Sequence, residues 1–130
     1  MDIGLDDKVY VAYKNQGLYI YDPSTDTSEL KTPDNSDLPN QHLRDISVDA
    51  NGDVWMTYHQ SFNVGGLIHW DISEDVYTTY LYEDGSQTQL PMERLVWADD
   101  ALWISPVSFS SQDQGLLKFQ LNTDSAEWEF

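Results

Sequence analysis

Three Gly-Leu pairs recur at a fixed step: Gly17-Leu18, Gly66-Leu67 and Gly115-Leu116, with 66 − 17 = 49 and 115 − 66 = 49. An aromatic follows each pair at the same distance, Tyr21, Trp70 and Phe119. A second aromatic precedes each pair, Tyr10, Trp55 and Trp103. Polar segments DPSTD, DISED and QLNTD come after. A chain repeating at this period is built from supersecondary units that bury their apolar faces against one another.

The middle unit shows what the repeat is made of. Leu43 to Val48 alternates apolar and polar residues, as a half-buried strand does. Asn51-Gly52 reads as a two-residue hairpin turn with positive φ at both positions. Val54-Trp55-Met56-Thr57-Tyr58 is a second strand, rich in β-branched and aromatic residues. Gly65-Gly66 interrupts the pattern before Leu67-Ile68-His69-Trp70, and Val76 to Tyr82 is a fourth run. Four strands joined by turns form an antiparallel meander, and a four-stranded unit at this period is a β-propeller blade. At the amino terminus, Asp2-Ile3-Gly4-Leu5-Asp6 matches Asp45-Ile46-Ser47-Val48-Asp49, placing the start inside a first strand. The expectation is an all-β chain of three four-stranded antiparallel blades, at 1–36, 37–89 and 90–130, forming an open arc. Because both ends cut the pattern, a larger propeller or two copies joined head to tail into a six-bladed ring would complete it.

With 6 Lys plus Arg against 23 Asp plus Glu, the net charge is −17. That sign argues against nucleic acid and anionic membrane surfaces as partners. No apolar run is long enough to span a bilayer, and no secretory leader stands ahead of Ile3. The absence of cysteine excludes disulfide and thiol chemistry and leaves the compartment open. The acidic excess reads as a solubilising surface, with adaptation to high salt as a second reading. The 5 Trp and 8 Tyr fall at periodic positions, which makes them core between blades.

The stretch LPNQHLRDISVDANGDVWMTY with GGLIHWD resembles the two-component-regulator type of propeller repeat: Leu-Pro-Asn, an apolar strand ending in Asp, a Gly-containing turn, an aromatic strand, then Gly-Leu and an aromatic-Asp pair. The third unit departs from it, with Met92 after Leu90-Pro91 and Gln120 where the others have Asp22 and Asp71. DKVYVAY and QGLYIYD also resemble quinoprotein-type propeller repeats. The first resemblance implies a non-catalytic sensing or scaffolding segment of a larger bacterial protein, periplasmic or extracellular, taking a small-molecule, protein or glycan ligand and needing no cofactor. An enzyme propeller of lyase or quinoprotein type, with catalytic groups partly in other blades, is the alternative. A purely structural segment is the third.

Loops that differ between repeats are where binding residues collect. The connection from second to third strand varies most: Lys14 to Gln16, His59 to Gly65 and Val107 to Gln114. His42, Arg44, Tyr58, His59, Gln60 and Arg94 are the polar residues expected near that face as a ligand site. A gapless alignment makes Arg44 and Arg94 equivalent, and alignment on Leu-Pro pairs Arg94 with His42 instead. Asp49-Ala50-Asn51-Gly52-Asp53 has calcium-loop groups at its first, third and fifth positions. Val54 stands where that loop needs Gly and Gln60 where it needs Glu, so a plain hairpin is expected there. His42, His59 and His69 lack zinc-site spacing, and no Ser sits in a nucleophile elbow, so neither a metal nor a catalytic residue is assigned. A glycosidase-type carboxylate pair stays open, since its separation is not a sequence property.

Overall fold

A computed structural model describes residues 1–61, 64–82, 91–106 and 116–130. Twelve strands form three four-stranded antiparallel sheets among these residues. Blade 1 comprises β1 (Asp2–Ile3), β2 (Val9–Tyr13), β3 (Gly17–Asp22) and β4 (Thr27–Lys31). Blade 2 comprises β5 (Leu43–Val48), β6 (Val54–Ser61), β7 (Val64–Asp71) and β8 (Val76–Tyr80). Blade 3 comprises β9 (Met92–Ala98), β10 (Ala101–Pro106), β11 (Leu117–Asn122) and β12 (Glu127–Glu129). Each sheet is a meander in sequence order, so the propeller-blade reading holds and the three blades do not close. The first strands converge, with β5 packed on both β1 and β9.

Strand parity decides what is buried. In β6, Val54, Met56 and Tyr58 face blade 1 and join Tyr10, Leu18, Ile20, Leu43, Ile46 and Trp70 in one core. Trp55, one residue out of phase, faces blade 3 and joins Leu67, Leu95, Leu102, Ile104 and Phe119 in a second core. Blade 2 is thus sealed on both faces, and all five residues from Val54 to Tyr58 are buried. The aromatic repeat follows the same rule. Trp70 and Phe119 face the preceding blade and are buried, but Tyr21 has no preceding blade and is only partly covered. Tyr10 and Trp55 face the following blade and are buried, whereas Trp103 lies on blade 3's outer face, half-buried, with Lys118 Nζ 5.4 Å from its ring centre.

Side chains of one blade cap the free edge of the next. Asp2 Oδ2 accepts from Val48 N–H at 2.8 Å, and Ser47 Oγ accepts from Trp97 N–H at 3.0 Å. Asp2 and Ser47 are equivalent, since each is opposite the second-strand aromatic, Tyr10 or Trp55. Asp45 Oδ2 adds a bond from Leu95 N–H at 3.0 Å, and Thr57 Oγ1 donates to Glu93 O at 3.0 Å. An unpaired edge strand exposes donors that must find partners, and here the neighbouring blade supplies the acceptors.

Several expectations shift in register. Pairing makes Asp2 equivalent to Ser47, so the match of Asp2 with Asp45 is two residues off; similar short apolar-acidic strings mislead there. The Asn51-Gly52 turn has positive φ at Gly52 alone (87°), with Gly52 N–H bonded to Asp49 O at 3.1 Å. Among the described residues, the turn with two consecutive positive-φ residues is Asp99-Asp100 instead, at 53° and 58°. Gly65-Gly66 lies inside β7 rather than before it, and β8 stops at Tyr80. Gly65 is needed because blade 3 arrives there: a Cβ would stand 2.3 Å from Pro91 Cα. The third copy of the acidic turn begins at Asn122, not Gln120, because the β11–β12 ladder runs two pairs further. Asn122 Oδ1 there accepts from Asp124 N–H at 2.9 Å, as Asp22 Oδ1 does from Ser24 N–H at 3.0 Å. Trp128 and Phe130 lie against Phe119, facing blade 2 and not the free face. Leu90, Gly115 and the Val107 to Gln114 connection lie outside the described residues.

Candidate functional site

The rim where β6 ends and β5 begins gathers most of the expected site. His59 N–H bonds His42 O at 3.0 Å, which sets the β6 histidine beside the one that immediately precedes β5. His42 Nδ1 lies 3.1 Å from Asn15 Oδ1 in the β2–β3 loop of blade 1. Asn40 ties the segment down twice: its Oδ1 accepts from His42 N–H at 2.8 Å and its Nδ2 donates to Gln60 Oε1 at 2.8 Å. Two blades therefore contribute to one continuous polar strip.

A third blade joins through two β-bulges. Leu43 and Asp45 pair with consecutive residues of β6, leaving Arg44 as the extra residue. Met92 and Arg94 pair with consecutive residues of β10, leaving Glu93 as the extra residue. Bulges bend a strand and re-aim a side chain. Here Arg44 Nη2 donates to His59 O at 3.3 Å, and Glu93 Oε2 lies 3.8 Å from His59 Nδ1. Burial holds the His59 imidazole below its usual 6.5, Arg44 pushes it the same way, and Glu93 opposes both. Arg44 Nε is buried with no hydrogen-bond partner among the described residues.

Two expected residues fall elsewhere. Tyr58 is 5% exposed, its ring belongs to the core between blades 1 and 2, and burial raises its pKa. Even parity with Val54 and Met56 makes it a core residue rather than a loop residue. Arg94 is exposed on blade 3's outer face, opposite Ser105. Its equivalent is Asp45, and the equivalent of Arg44 is Glu93: 94 − 45 = 49 and 93 − 44 = 49, the step of the Gly-Leu pairs, which neither sequence alignment of Arg94 keeps. His59 and Gln60 are also strand residues of β6, not part of a long loop. Asn15, Asn40 and Glu93 were not anticipated. Asn40 stands in the Leu-Pro-Asn string, but nothing local announces a bulge at Glu93.

The opposite rim carries an open cleft of about 350 Å³, lined by Leu5, Asp6, Asn51, Gly52, Asp53, Asp71, Ile72 and Ser73. Behind it, one donor atom each from Asp49, Asp53 and His69 lies within 4.8 Å of the others. These groups are already engaged. Asp49 Oδ1 accepts from Asn51 and Asp53 N–H at 2.9 and 3.1 Å, and Oδ2 from Trp55 Nε1 at 2.8 Å. His69 Nε2 sits 2.9 Å from Asp53 Oδ2, and the imidazole stacks on Trp55 at 4.2 Å. His69 is thus at the far end of the blade from His42 and His59, so the three histidines do not converge.

No protein-family model matches the chain, and no curated protein does. Among solved structures it is similar to the extracellular domain of BT4673 from B. thetaiotaomicron, described as a one component system in one structure and as a hybrid two component system in another. The TM-scores are 0.68 and 0.69, both at 16% identity. Each match covers 98% of this chain but 15% of the other, so the chain spans a small part of those proteins. At that identity the likeness bears on the fold. Among the described residues no helix is long and apolar enough to cross a membrane.

Proposed function

We propose that this chain is a non-catalytic recognition segment of an extracytoplasmic sensor, and that its ligand lies on the rim formed by His42, Arg44, His59 and Gln60 with Asn15, Asn40 and Glu93. The observation that carries this reading is the pair of bulges. They bring a guanidinium to the backbone carbonyl of His59 and a carboxylate to its imidazole, from two different blades, beside a row of amides. Neutral amides, one cation and one carboxylate are suited to a polar ligand such as a sugar or a small organic acid, held by hydrogen bonds rather than transformed. The likeness to extracellular domains of a signalling protein supports the setting. The acidic cleft on the other rim supports a second location, suited to a cationic or polyhydroxylated ligand.

Calorimetric titration with a panel of mono- and oligosaccharides, organic acids and amines tests both. A ligand on the first rim binds roughly 10-fold or more weaker to Arg44→Ala and Gln60→Ala, and unchanged to Asp71→Asn. Binding that responds to Asp71→Asn and Asp53→Asn but ignores Arg44→Ala moves the site to the cleft and overturns the first location.

A further inference from the structure

The polar strip of the first rim is unbalanced in its hydrogen bonding. Its amide oxygens are in use. Asn40 Oδ1 accepts from His42 N–H at 2.8 Å, Gln60 Oε1 accepts from Asn40 Nδ2 at 2.8 Å, and Asn15 Oδ1 lies 3.1 Å from His42 Nδ1. The backbone oxygens of His42 and His59 are taken as well, by His59 N–H and Arg44 Nη2. The donors are not used up. Among the described residues, Asn15 Nδ2 and Gln60 Nε2 have no acceptor.

Arg44 has the larger surplus. Its one hydrogen bond among the described residues is the 3.3 Å contact from Nη2, which is long for an N–H to oxygen bond. Its Nε is buried without a partner. No carboxylate among those residues lies within 4.0 Å of the guanidinium, in a chain with 23 Asp plus Glu and 6 Lys plus Arg. Asp45, next in the chain, accepts from Ile46 N–H at 2.9 Å and Leu95 N–H at 3.0 Å. Glu93, the other bulge residue, has Oε2 3.8 Å from His59 Nδ1. A guanidinium presents a planar fork of donors that fits an oxyanion two bonds at a time. We propose that the ligand of this rim is an acid, its carboxylate held by Arg44 with Gln60 Nε2 and Asn15 Nδ2 donating to its other oxygens, and that a neutral sugar is a poor ligand. This rests on the rim location proposed above and adds the charge of what binds there.

Calorimetric titration of the chain at neutral pH with glucose, glucuronate and succinate tests the proposal. Glucuronate is expected to bind roughly 10-fold or more tighter than glucose, because hydrogen bonds between charged groups contribute more than neutral ones. That preference falls to near parity in Arg44→Gln, which keeps N–H donors without the charge, and is partly kept in Arg44→Lys. Glu93→Gln, on the other blade, tightens glucuronate roughly 3-fold and leaves glucose unchanged. It reads the same charge where Arg44→Gln fails the check of a cooperative melt. Gln60→Ala weakens glucuronate and reports the location separately. Succinate binding alongside glucuronate means the carboxylate suffices, and glucuronate alone means the ring is read too; either supports the proposal. Three results would overturn it: glucose as tight as glucuronate while Gln60→Ala weakens both, which keeps the rim and removes the acid; a glucuronate preference unchanged in Arg44→Gln; or no binding of either acid. Binding that responds to Asp71→Asn and ignores Gln60→Ala is the separate failure of the location, and takes the inference with it.

Discussion

Trp70 and Tyr21 stand one repeat apart on equivalent positions of the third strand, and Trp70 is buried whereas Tyr21 is only partly covered. Its ring stacks on Tyr77 at 5.4 Å, meets Tyr10 edge-on at 6.3 Å, and its Nε1 donates to Asp75 Oδ1 at 3.0 Å. Trp70→Ala is expected to cost about 3–5 kcal/mol. Tyr21→Ala, on an open face, is expected to cost under about 1 kcal/mol in the monomer. Denaturant titration of both variants gives the comparison, and equal losses would contradict the assignment of faces. His59 makes a prediction in pH. Its folded pKa lies below the 6.5 of the free side chain, so the unfolded chain holds a proton that the folded chain lacks. Stability is therefore retained above 6.5 and falls as pH drops from 6.5 toward the folded value. Thermal melts from about pH 7 to about pH 5 are expected to fall more steeply for the wild type than for His59→Gln; parallel curves would contradict this. At Asp49 both carboxylate oxygens are taken by N–H donors. Calorimetry is expected to find no tight stoichiometric calcium binding that disappears in Asp49→Ala.

At the scale of the element, the edge bonds between blades carry a measurable share of the stacking. Asp45 Oδ2 holds Leu95 N–H of the next blade, and a charged acceptor to a backbone donor contributes about 1.5–3 kcal/mol. Asp45→Ala is expected to lose stability on that order, while Asp45→Asn, which keeps an oxygen in place, loses less in chemical denaturation. If the two variants lose equally, the bond is not what matters there. What could be read in advance follows the same division. Strand existence was legible because alternation and β-branched runs are local properties, as in Leu43 to Val48. Pairing offsets were not, because a bulge at Arg44 or Glu93 depends on the strand opposite. His59 and Gln60 were legible as polar residues near one rim, but the variable connection that drew attention to them is, at those positions, part of β6. Tyr58 was misplaced because its burial comes from strand parity, and Arg94 because its blade equivalence rests on pairing.

For the whole molecule, the order of the sheets sets a gradient of protection. Blade 2 is covered on both faces and its edge is capped from blade 1, while blades 1 and 3 each have one open face. Opening of an outer blade exposes one core, but opening of blade 2 exposes both, so its amides should require the largest excursion. The likeness to BT4673 domains at TM-scores of 0.68 and 0.69 covers 98% of the chain, which fits a stack whose blades keep a common relative arrangement.

Native-state hydrogen exchange resolved by residue tests that stack most directly, with β6 and β7 set against β2, β3, β10 and β11 under conditions where the chain is monomeric. The account predicts the slowest exchange at Val54 to Tyr58 and Leu67 to Trp70, intermediate rates in the central strands of blades 1 and 3, and the fastest in β4 and β12. Slower exchange in blade 1 or blade 3 than in blade 2 would contradict the order of the blades.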